Sequence, residues 1–235
     1  EFMKMGVEMA VAAPDQDLSD YDVVIAPMLY MLGPGTAENL KAFVEKGGQL
    51  LATYLTGYVN QDQLCFLGGF PGDGLVELFG ISSEEIDTLY PSDRNSIRFE
   101  DGQEWEVRDY AEVLRVQDAR VLASYTEDFY QGTAAVTCKE TGKGKAYYAA
   151  ARTAPGQMAP FFKKMLEEAG ILTRQLPQGV EYHVRSGQEG VYEFYLNHNT
   201  YPVRVENVEG LELESGDGIC GSLELAGYGT AVIRR

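Results

Sequence analysis

The chain has 235 residues, enough for one large domain or two modest ones. Asp and Glu number 36 against 19 Lys and Arg, a formal charge of −17 that repels phosphate backbones and anionic lipid. Binding to nucleic acid or to a membrane surface is therefore not expected.

Three widely spaced cysteines, Cys65, Cys138 and Cys220, form no C-x-x-C pair and fit a reducing compartment. The longest apolar run, Val23 to Leu32, contains Pro27 and is too short to span a bilayer. No charged-then-apolar leader opens the sequence, so a cytoplasmic location is expected.

Val7 to Ala13 reads as a short strand. Val23 to Leu29 is apolar almost throughout, which suits a strand covered on both faces. Gly33-Pro-Gly then breaks the chain and offers Thr36 as a helix N-cap. From Ala37 to Lys46 the apolar residues Ala37, Leu40, Phe43 and Val44 share one helical face, and Gly47-Gly48 ends the helix. Gln49 to Tyr54 is the next strand. A strand, a crossover helix and a second strand make a parallel pair, so an open α/β sheet is expected.

Beyond Ser82 the apolar period shifts toward two. Ser96–Glu100, Trp105–Arg108, Val113–Val116 and Val121–Tyr125 read as strands, and Ala134–Lys139 and Lys145–Ala150 as a hairpin across Glu140-Thr-Gly-Lys-Gly144. Met158, Phe161, Phe162, Met165, Leu166 and Ala169 mark a second amphipathic helix stopped by Gly170, and core packing accounts for its stripe. After Leu176-Pro-Gln-Gly179 only alternating segments remain: 180–184, 191–196, 203–208, 211–213 and 223–233. They predict a small antiparallel β domain. The expected domains are therefore residues 1–175 and 176–235, the second sandwich-like.

The chain carries few signals of catalytic chemistry. Neither G-x-S-x-G nor G-x-C-x-G occurs, and the turn after the second strand reads Tyr54-Leu-Thr-Gly57, with no nucleophile. Both histidines, His183 and His198, lie in the β tail, so the α/β part has no base for Cys65. Gly68-Gly-Phe-Pro-Gly-Asp-Gly74 lacks the Lys-Ser/Thr of a phosphate loop, and Pro71 removes an N–H. The densest acidic group, Glu84, Glu85 and Asp87, reads as a solvated edge. No catalytic residue, cofactor site or metal site is expected.

Several motifs carry a resemblance. Asp22-Val-Val-Ile-Ala-Pro-Met-Leu-Tyr30, Gly47-Gly48, Thr53-Tyr54, Leu67-Gly-Gly-Phe-Pro-Gly72, Leu122-Ala-Ser-Tyr125 and Gly142-Lys-Gly-Lys-Ala-Tyr-Tyr148 closely resemble family-42 β-galactosidases. So do Tyr195-Leu-Asn-His-Asn199 and Tyr228-Gly-Thr-Ala-Val-Ile233 in the tail. The resemblance implies a flavodoxin-like trimerisation domain, related to class I glutamine amidotransferases, followed by a small all-β domain. It also implies an N-terminal (β/α) barrel carrying both catalytic carboxylates, for which this chain has no room. The implied partners are that barrel and two further copies in a homotrimer, with no cofactor.

On this reading the domain's first strand is absent, which would expose a sheet edge. Tyr58, Phe66 and Phe70, in the loop 52–74, are the candidate interface. Two alternatives stay open: an amidotransferase-like hydrolase using Cys65, and a carbohydrate-binding module with Tyr182, Tyr192 and Tyr195 on its β face.

Overall fold

A computed structural model describes every residue from Glu1 to Arg235. The chain divides into two compact units, a larger one spanning Ala12–Met158 and a smaller one joining Glu1–Val11 to Ala159–Arg235.

In the larger unit the elements run β1 (Val23–Ala26), β2 (Met31–Leu32), α1 (Thr36–Lys46), β3 (Gln49–Thr53), β4 (Val59–Asn60) and α2 (Leu75–Phe79). Then come β5 (Ile81–Thr88), β6 (Asn95–Phe99), β7 (Glu104–Val116), β8 (Arg120–Tyr125), β9 (Ala134–Thr141), β10 (Gly144–Ala149) and β11 (Ala151–Thr153). Nine strands form one sheet in the order β1-β3-β10-β9-β8-β6-β7-β11, with β5 also paired to β7. The pairs β1–β3 and β3–β10 are parallel. All other pairs of this sheet are antiparallel, and β2 and β4 form a separate parallel pair. The expected parallel pair and hairpin are both present, but the sheet is mixed rather than parallel throughout. Its second half is built from hairpins, which need no crossover helix.

The face of α1 that carries Ala37, Leu40, Phe43 and Val44 is buried against the core of this unit. Thr36 is the first helical residue rather than the cap, whose place is taken by Gly35 at φ 79. At the other end the Gly47 N–H closes the helix on Phe43 and Val44. The β9–β10 turn is strapped onto this end by Lys143 N–H to Glu45 O (3.1 Å) and Lys145 N–H to Gly48 O (3.2 Å). A Cβ at Gly144 would collide with the carbonyl oxygens of Gly48 and Val44. Gly144→Ala is therefore expected to destabilise this unit by about 3 kcal/mol, at the upper end of overpacking costs. A urea midpoint within error of wild type would show that the turn can withdraw from the helix end.

The smaller unit holds a 3-10 turn (Met3–Met5), α3 (Ala159–Glu168) and five strands: β12 (Val180–Gly187), β13 (Gly190–Asn197), β14 (Val203–Glu212), β15 (Gly218–Leu225) and β16 (Thr230–Arg234). The strands form a single antiparallel sheet, β12-β13-β16-β14-β15. The expected domain is sandwich-like, whereas the strands make one sheet; alternation marks one buried face and does not distinguish one sheet from two. That face supplies Val180, Tyr195, Val205, Val208, Leu223, Leu225, Ala231 and Ile233 to the core. The predicted strand over 7–13 is absent. No strand pairs with it, Val11 is fully exposed, and the preceding turn docks instead through Phe2 stacked on Phe162 at 4.8 Å.

Candidate interface

β3 delivers the chain into a sharp turn in which Leu55 takes φ 59, a costly conformation for a residue with a Cβ. The Thr56 hydroxyl donates back to Thr53 O at 2.6 Å, and Gly57 at φ 68 completes the reversal. Gly57 N–H then donates to Leu29 O (2.8 Å) and Tyr58 N–H to Tyr30 O (2.9 Å). The loops after β1 and β3 are thus tied into one surface.

A buried acid lies beneath that surface. Glu112 on β7 has no exposed area. Its Oε1 accepts from Leu55 N–H (3.0 Å) and the Tyr58 hydroxyl (2.9 Å), and its Oε2 accepts from the Tyr148 hydroxyl (2.7 Å). Burial pushes the Glu112 carboxyl above its ordinary range, against the pull of those donors. Burial, and next the facing Glu112, raise the Tyr58 phenol in turn.

Tyr58 is stacked between two rings, Phe70 at 4.2 Å and Tyr30 at 5.8 Å. Phe66 packs against the unit's own core, and its ring lies so close to Gly72 that a Cβ there would strike it. The three predicted interface residues are therefore brought together, each half-buried. The more exposed apolar groups on these loops are Met28, Tyr30, Met31, Leu64 and Leu67, the last 99% exposed. Sequence reasoning passed over these five. The signal for three of them was an apolar run continuing past the four residues that β1 needs.

Other candidates are dispersed. Cys65 is exposed and free in the larger unit, whereas both histidines belong to the smaller one. Glu84 and Glu85 are exposed on β5, and Asp87 accepts the Tyr130 hydroxyl at 2.7 Å. Of the three tail tyrosines expected on an exposed face, Tyr195 is fully buried, while Tyr182 and Tyr192 are half-buried.

Residues 1–172 match the model of the β-galactosidase trimerisation domain, and residues 179–235 match that of the β-galactosidase C-terminal domain. The chain belongs to the family-42 β-galactosidases. Its relatives include β-galactosidase BglY of Alicyclobacillus acidocaldarius, 41% identical over 99% of this chain. β-Galactosidase Pbg of Clostridium perfringens is 35% identical over 100% of it. The crystal structure of the β-galactosidase from Bacillus circulans sp. alkalophilus superposes with a TM-score of 0.94 at 31% identity, covering 100% of this chain and 36% of that one. This family-42 chain spans 35% of the length of those two curated relatives.

Proposed function

We propose that the chain is the non-catalytic assembly portion of a β-galactosidase, whose catalytic barrel lies in the remainder of the protein. The observation that carries this reading is the pair of family matches, which divide nearly the whole chain between a trimerisation and a C-terminal domain and leave no segment for a barrel. The whole protein would hydrolyse terminal β-D-galactosides with retention, through two carboxylates supplied from outside this chain. The parallel trio β1, β3 and β10 with α1 supports a flavodoxin-like core, and the gap between the two matches supports a boundary near residues 175 and 176. No helix is long and apolar enough to cross a membrane, and a cytoplasmic setting remains our reading. Incubation of the purified chain with a chromogenic galactoside is expected to give no turnover above blank, and any turnover would overturn the proposal.

The face formed by Tyr58, Phe66 and Phe70, with the exposed groups beside them, is the proposed contact with the barrel or a neighbouring copy. In the full-length enzyme, Phe66→Ala with Phe70→Ala is expected to lower trimer mass in light scattering, and turnover with it. Unchanged mass and turnover in a folded variant would assign these rings to the unit's own core.

A further inference from the structure

The chain's two histidines converge on one carboxylate. Glu181 and His183 share a face of β12, and His198 follows β13 on the adjoining strand. Glu181 Oε1 lies 2.7 Å from His183 Nε2, and its Oε2 lies 2.6 Å from His198 Nε2. The second ring nitrogen of His183, Nδ1, lies 3.2 Å from Oε1 of Glu8 in the N-terminal segment. That same Glu8 oxygen accepts the Val184 N–H at 2.8 Å and the Arg185 guanidinium at 2.9 Å.

A neutral imidazole has one N–H and one lone pair. With a carboxylate oxygen at each ring nitrogen of His183, the neutral ring must aim its lone pair at one of them, whichever tautomer it adopts. Only the imidazolium donates to both. The position also matters, because β12 ends its sheet. Val184 N–H is directed outward from that edge and is met by Glu8 rather than by another strand.

We propose that His183 is a proton-operated latch: as the imidazolium it clamps Glu8 to Glu181, holding the N-terminal segment along the open edge of β12, and on releasing its proton to solvent it lets that segment lift. The groups facing it are Glu181 and Arg185 from β12, Glu8 from the N-terminal segment, and His198, through Glu181, from beyond β13. Its cross-strand partner on β13 is the apolar Phe194.

The signs agree with the geometry. The hydrogen bond to Glu181 does most to hold the His183 proton, partial burial opposes it, and Glu8 adds to it, so the ring titrates above an ordinary histidine. Its contribution is full below the free-histidine value of about 6.5 and is lost as pH rises through the raised one. Burial works against the Glu8 charge, but the Val184 N–H and Arg185 outweigh it, and the two histidines stabilise the Glu181 charge; both carboxyls titrate low. The latch is therefore closed at mildly acidic pH and opens as pH rises through that raised value. Opening it bares an unpaired strand edge, the kind of surface that recruits another chain.

The test uses the full 235-residue chain. Ring nitrogen shifts of His183 and the hydrogen-exchange protection factor of the Val184 amide are followed by NMR from pH 5 to 9. The His183 shifts should show an imidazolium at pH 6. Val184 protection should fall severalfold along the same titration curve, and His183→Gln should hold it at the low level at every pH. Glu8→Gln, which keeps the shape and removes the charge facing Nδ1, should move the His183 titration toward lower pH. A neutral single tautomer at pH 6, or the same Val184 profile in wild type and His183→Gln, would overturn the latch. These readouts lie wholly within the smaller unit and do not depend on the assembly reading.

Discussion

Glu112→Leu is expected to destabilise the larger unit by about 4 kcal/mol. Leucine fills much the same space but accepts no hydrogen bond. The Tyr58 hydroxyl keeps an alternative partner in Ser83 Oγ at 3.1 Å, whereas the Tyr148 hydroxyl and Leu55 N–H lose the acceptor Glu112 gave them. Each buried donor left unsatisfied costs about 1–3 kcal/mol, and the Leu55 turn loses the bond that offsets its positive φ. Trp105, the sole tryptophan and itself buried in this unit, provides a fluorescence readout of urea unfolding. A Glu112→Leu midpoint equal to wild type would mean that these donors find other partners.

Glu112→Gln separates charge from shape. Because the folded state raises the Glu112 pKa, it holds the proton more tightly than the unfolded chain does. The resulting stability is fully present below the ordinary value of 4.5 and drains away as pH climbs toward the raised one. Glutamine has no such slope. Wild type should therefore lose stability relative to Glu112→Gln as pH rises from 4 to 8, and parallel profiles would refute a proton held on Glu112.

Arg174→Met is expected to cost the smaller unit about 3 kcal/mol. The side chain of Glu193 is only 4% exposed and is held by Arg174 Nη1 at 3.3 Å and Arg235 Nη2 at 3.1 Å. The hydroxyls of Tyr182 and Tyr195 each donate to it at 2.8 Å. Arg174 also lies over both rings, 4.9 and 5.3 Å from their centroids, and donates to Asn207 O at 2.8 Å. Its own N–H reaches Met5 O at 2.7 Å.

Removing one partner of a buried ion pair typically costs 3–5 kcal/mol, and the surviving Arg235 places this case at about the low end. Methionine keeps contact with the rings, so the loss isolates charge and hydrogen bonding. Lysine would not substitute, since an ammonium cannot present the guanidinium fork. Amide exchange along β13 is the readout, and unchanged protection would mean that Arg235 and the two tyrosines suffice for Glu193.

The parts of the fold legible in the sequence are those where one simple period runs unbroken. The apolar face of α1, the parallel pair around it and the β9–β10 hairpin follow from spacing alone. β7 shows why the remainder was harder to read. Trp105, Val107 and Ala111 are buried at odd positions but Glu112 and Leu114 at even ones, and β7 shifts register against β11 between Val107 and Ala111, where Asp109 takes φ 60. Two short strands with a gap were the natural reading, and Glu112 fell into the gap. A glutamate's burial is decided by donors on β3, β10 and their loops, which no local pattern reveals. Tyr58, Phe66 and Phe70 are reached through the family resemblance and their place in the loop after a parallel strand, while the exposed Leu67 beside them leaves no periodic trace.

β1 is the outermost strand on one side of the nine-stranded sheet, with Val23, Val24 and Ile25 only half-buried. Its outer row of amides and carbonyls is a docking template four residues long. Preparations of the chain should thicken with concentration as molecules borrow this template from one another. A short β-branched peptide supplied in excess should suppress that growth by completing the sheet in trans.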